Sequence, residues 1–167
     1  MDQNTTTTQA PEDNRSLIRM IILTGLLVGT LDAILATLDF LLIAGGRHPG
    51  TIFKYIASAV YGRTAFAGGA GMIGMGILFH YCIAFSFTIL FFLLYPRLPI
   101  LTRNRLLTAI TYALLVWCIM NILVVPVTNA PPQPFHLSGA IIGACILVFS
   151  VGLPVSFMAY KYYARSA

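Results

Sequence analysis

Four long apolar blocks dominate this sequence, separated from one another by glycine, proline or arginine. They run from about 17 to 44, 71 to 95, 106 to 125 and 137 to 160. Each holds ~20 residues or more, enough at ~1.5 Å per residue to cross ~30 Å of hydrocarbon. Among acyl chains a spanning backbone must satisfy its own N–H and C=O groups, so each block is predicted to be a helix. The expected fold class is all-α, a four-helix transmembrane bundle. Composition excludes a water-soluble globule: 58% of the residues are hydrophobic and only 9% charged, with a mean hydropathy of +0.85. A soluble domain carries about 25% charged residues. The lipid bilayer is therefore the expected partner, and a homo-oligomer of such short spans is a further expectation.

Residues 1–14 are polar and threonine-rich and read as a disordered tail, leaving 15–167 as a single four-span domain. The first block is too long for a signal-peptide core and reads as a retained span. Between spans one and two, Pro49 suits the first turn of a helix and Gly62 the residue after one. Between them Ile52, Phe53, Ile56, Ala57, Val60 and Tyr61 recur at helical spacing. The segment 49–61 is thus a short amphipathic helix, interfacial or re-entrant, followed by a flexible glycine-rich connection. Pro126 is expected to end span three. Pro154 lies inside span four, where it should kink the helix and free the Ser150 carbonyl.

Net charge is +5, but its placement says more than its total. Arg15 and Arg19, then Arg97, Arg103 and Arg105, then Lys161 and Arg165 all fall on one side of a four-span topology. The positive-inside rule makes that side cytoplasmic, with both termini there. Arg47, Lys54 and Arg63 are then exceptions on the opposite side, and pairing with aspartates of span one would account for them. No basic run suggests a nucleic-acid partner.

The residues most costly to place in lipid are Asp32, Asp39 and His80, with Asn121 a cheaper companion. At ~1.5 Å per residue, Asp39 and Asn121 lie about 8 Å from the outer edge, His80 about 13 Å and Asp32 about 18 Å. A single polar layer in the outer half of the bundle follows. Two roles compete for it. It could hold the helices together, with Arg47, Lys54 or Arg63 as charge partners, or it could pass protons between His80 and an aspartate. Lipid chemistry using the same groups as acid and base is a third possibility.

The other motifs are weak. Cys82, Cys118 and Cys145 lie in apolar blocks without metal-ligand spacing, and two carboxylates with one histidine at no fixed spacing make a poor metal site. No cofactor motif is present. Glycines at 25, 29, 68, 69, 71, 74, 76, 139 and 143 suggest close helix packing. Tyr95, Tyr160, Tyr162 and Tyr163 near span ends suggest interfacial anchors.

The stretches GLLVGTLDAILA (25–36), PGTIFKYIASAVYGRTAFAGG (49–69), GILFHYCIAFSF (76–87), WCIMNILVVPVTNAPP (117–132) and GAIIGACILVFSVGLP (139–154) occur in this order. They resemble a group of small, uncharacterised bacterial four-span membrane proteins of the Bacteroidetes type. A more distant similarity is to uncharacterised inner-membrane proteins linked with acid resistance. The resemblance implies the four-span fold and assigns no activity to Asp32, Arg63, His80, Asn121 or Pro126. The function expected from the residues is non-enzymatic, a structural or accessory component. A small proton-coupled transporter or a lipid-active enzyme are the alternatives.

Overall fold

The computed structural model describes residues 10–98 and 104–164. Among them there are helices and no strands. Helix α1 is Ala10–Leu42, α2 is Gly50–Tyr61 and α3 is Ala70–Leu94, drawn out by a tight 3-10 turn at Tyr95–Arg97. Helices α4 and α5 are Arg105–Val127 and Leu137–Tyr163. Four of the five, all but α2, are long and apolar enough to cross a membrane. From Ala10 on the described chain is helical, so the last residues of the segment read as a tail belong to α1. The rest of the tail, and Pro99, Arg103 and Arg165, lie outside the described residues.

Local chemistry sets the boundaries. Gly45 ends α1 at φ 72° and Gly62 ends α2 at φ 61°, backbone that an L side chain rarely adopts. Asn104 opens α4: its side chain accepts hydrogen bonds from the Leu106 and Leu107 amides at 3.0 and 3.2 Å. Pro126 does not stop α4, which continues to Val127. Both prolines are accommodated in the same way, by a widened π-helical turn just before them, at Ile119–Val124 and Val148–Gly152. In these turns the Val125 amide bonds to the Met120 carbonyl and the Leu153 amide to the Val148 carbonyl, five residues back. A proline ring presses on the carbonyl four residues back, and widening the preceding turn moves that group aside.

The helices pack in the order α2, α3, α1, α5, α4, while α3 and α4 are not a closely packed pair. Glycine sets the tight crossings. A Cβ on Gly25 or Gly29 would meet the rings of Phe85 and Tyr81 at 2.5 and 2.7 Å, so these residues let α3 lie against α1. Gly76 gives α2 its place against α3, and Gly152 lets α5 approach the Ala109 carbonyl of α4. Gly69, Gly71, Gly74 and Gly139, expected to pack in the same way, have nothing within 4 Å of a Cβ position. All four are exposed, and helical periodicity turns Gly71 and Gly74 away from the crossing that Gly76 occupies.

One end of the bundle is an aromatic core. Phe91, Phe92, Tyr95, Tyr112 and Tyr162 are buried there. The Tyr95 and Tyr163 rings stack at 5.4 Å, and the Tyr163 hydroxyl donates to the Phe92 carbonyl at 2.8 Å. Tyr95, at 2% exposure, and Tyr162, at 6%, are therefore interior residues rather than surface anchors. Outside this core the long faces stay apolar: Leu42 and Val127 are each 78% exposed. Such surface suits acyl chains.

Candidate functional site

Beyond the aromatic core, α3 and α4 separate. They meet through Tyr112, whose hydroxyl donates to the Phe87 carbonyl and whose ring lies 4.6 Å from that of Phe91. Past this contact a cavity of about 450 Å³ lies between them, with walls from α1, α2, α3, α4 and α5. It is only partly enclosed, because the two helices do not pack together along it. A drug-sized ligand site falls in the range of about 300–1,000 Å³.

Helix α2 covers the end of the cavity farthest from the aromatic core, with Tyr55, Ile56, Ala59 and Val60 in its wall. It leans on α3: the Phe53 ring sits edge-on to His80 at 6.4 Å, and Tyr61 stacks on Phe79 at 6.3 Å. Asn129, after α4, fastens the other side. Its amide donates to the Ala59 carbonyl at 3.0 Å and its side chain to the Val60 carbonyl at 3.3 Å. These are carbonyls of the last turn of α2, which have no partner within the helix. Nothing in the sequence pattern separates Asn129 from an ordinary loop residue, and its role follows only from the approach of two distant segments.

Asp32 and His80 both line the cavity. The Asp32 Oδ1 accepts a hydrogen bond from the Ser150 hydroxyl at 2.7 Å. Ser150 is fully buried inside the π turn of α5, so the irregularity that Pro154 induces is also what presents this hydroxyl to α1. The His80 Nε2 lies 2.8 Å from the Gly29 carbonyl. A carbonyl only accepts, so Nε2 carries the proton and donates, and in the neutral ring Nδ1 holds a lone pair. At the next residue of each helix the Thr30 and Tyr81 hydroxyls are 2.9 Å apart. Three polar contacts thus join α1 to its neighbours.

The other two members of the expected layer are elsewhere. Asn121 is exposed and donates to the Trp117 carbonyl of its own helix at 2.9 Å. Asp39 lies one turn from the end of α1 and does not line the cavity. Of the basic residues, Lys54 donates to the Phe66 carbonyl at 3.2 Å, and among the described residues neither aspartate is ion-paired with Arg47, Lys54 or Arg63. Asp32 meets a serine hydroxyl where a cation was expected. Burial holds the Tyr55 phenol above its usual range, so it stays a neutral hydroxyl in the cavity wall. Among the described residues no three His, Cys, Asp or Glu side chains gather into a metal-binding group.

Comparison with protein-family models, curated proteins and solved structures gives no match to this chain.

Proposed function

We propose that this is a multi-pass protein of a bacterial cytoplasmic membrane, both termini cytoplasmic, that holds a lipophilic molecule in the Asp32–His80 cavity. On this reading it belongs with the small four-span bacterial proteins it resembles, as a non-enzymatic binding component. One observation carries it: a cavity of about 450 Å³, almost wholly apolar, onto which a carboxylate and an imidazole converge. Ligand sites pair an apolar lining with a few placed polar groups in this way. The orientation rests on Arg15, Arg19, Arg97, Arg105 and Lys161, which all lie toward the aromatic end of the bundle.

A purely structural role for the polar groups is supported by a different observation. The Ser150–Asp32, His80–Gly29 and Thr30–Tyr81 contacts each tie α1 to α5 or α3. Hydrogen bonds between membrane helices contribute on the order of 0.6–2 kcal/mol each. The two roles differ in what filling the cavity does. In the Ile83→Trp variant the cavity is occupied by an indole while all three hydrogen bonds remain. Native mass spectrometry of the protein released from maltoside micelles should show a retained lipophilic adduct on the native chain and none on Ile83→Trp. Equal spectra, with no adduct on either, would leave the structural role alone.

A further inference from the structure

Charge in the cavity is one-sided. Among the described residues, Asp32 is its only acidic lining residue, and no lysine or arginine lines it. The carboxylate has one oxygen engaged, by the Ser150 hydroxyl, and that donor is neutral. The nearest candidate cation on the covering helix, the Lys54 ammonium, is turned to the Phe66 carbonyl. A carboxylate on an apolar wall inside a membrane is costly without a positive partner. His80 spends its Nε2 proton on the Gly29 carbonyl, and the neutral tautomer keeps a lone pair on Nδ1. The Thr128 hydroxyl donates to the Val125 carbonyl and accepts from the Ala130 amide, so it is a neutral, partnered group. Aromatic rings complete the wall: Phe79, Phe87 and Tyr55 all line it. Ring faces attract organic cations, most strongly where water is excluded.

Resting on the cavity reading above, we propose that the occupant is a lipophilic organic cation, an amine or quaternary ammonium with an apolar body. Its charged nitrogen lies at Asp32 and its body among the aromatic and aliphatic side chains of α2, α3 and α4. The cation is a free molecule rather than a phospholipid headgroup. A headgroup ammonium carries a phosphate beside it, and among the described residues no lysine or arginine lines the cavity to receive that anion. Entry is from the bilayer, through the side where α3 and α4 stand apart.

The test uses two shape-matched radiolabelled probes, (4-butylbenzyl)trimethylammonium and its neutral analogue with carbon in place of nitrogen. Saturable binding is measured to the full-length protein in uncharged maltoside micelles, with Ile83→Trp as the blank for partition into the micelle. The cation should bind at least about tenfold more tightly than the neutral probe, as expected for a charge pair in a low-dielectric site. Asp32→Asn, whose amide oxygen can still accept from Ser150, should remove that preference and leave neutral-probe binding unchanged. Asp32→Glu should keep it. Equal affinities on the native protein would overturn the cation assignment while leaving the cavity reading standing, and no binding of either probe would overturn both. A preference that survives in Asp32→Asn would overturn the role of Asp32. Displacement of the cation by lysophosphatidylethanolamine would overturn the free-molecule source.

Discussion

Replacing Gly76 by alanine should lift α2 off α3. A Cβ at this position would stand 1.9 Å from the Phe53 carbonyl oxygen, 2.5 Å from its carbon and 2.9 Å from its Cα. All three are backbone atoms within a helix, so no rotamer change relieves the clash. Ordinary contact starts at 3.4 Å, so the backbones must part by about 1.5 Å along that line, the difference between 3.4 and 1.9 Å. A gap of roughly 0.5–1 Å already forfeits a quarter to a half of each atom pair's dispersion attraction. Overpacking costs about 1–3 kcal/mol, and a rigid backbone clash belongs at the upper end. At about 2–4 °C per kcal/mol for a chain of this size, the midpoint should fall by about 6–12 °C. Gly74→Ala is the matched control, since no atom lies within 4 Å of its Cβ position. Alanine for glycine in a helix gains up to about 1 kcal/mol, so that variant should melt at or above the native midpoint. The assay is thermal unfolding in maltoside micelles followed by circular dichroism, with hydrogen exchange to report on α2. A midpoint for Gly76→Ala matching that of Gly74→Ala, with native protection of α2, would refute the packing argument.

Tyr112→Phe removes the bond to the Phe87 carbonyl and should cost about 1 kcal/mol, seen as a lowered midpoint in the same melt. Pro154→Ala restores the missing N–H and allows an ordinary helix through 148–152. Ser150 should then turn away from Asp32, and a spin-label distance between α1 and α5 on either side of this contact should change. Cysteines placed at Gly45 and Ala164 should react with an impermeant thiol reagent from opposite faces of sealed vesicles, and labelling from the same face would overturn a four-span topology.

The fold was legible because spanning a bilayer leaves the chain few options. Apolar length gave four helices close to their final bounds, and Pro49 with Gly62 framed α2 to within a residue. The site was only partly legible. Depth along a span follows from counting residues, but the direction a side chain faces depends on helical phase, and the π turns change that phase. Asn121 sits inside one of them and turns outward to its own helix, although its depth matched that of Asp39. His80 and Asp32 do converge on one cavity. That cavity exists because α3 and α4 part beyond Tyr112, a tertiary event with no local signature. Pro126 and Pro154 pointed to irregular helix, while the widened turns that accommodate them became visible only in three dimensions.

The Tyr112 contact has a mechanical consequence. From it to Val127, the far end of α4 extends about 22 Å at 1.5 Å per residue. With the aromatic end as pivot, that stretch is a lever, and a tilt of about 5° carries its tip roughly 2 Å. Because Asn129 ties that tip to the last turn of α2, any such rotation carries the covering helix with it, while the tyrosine packing at the fulcrum stays in place.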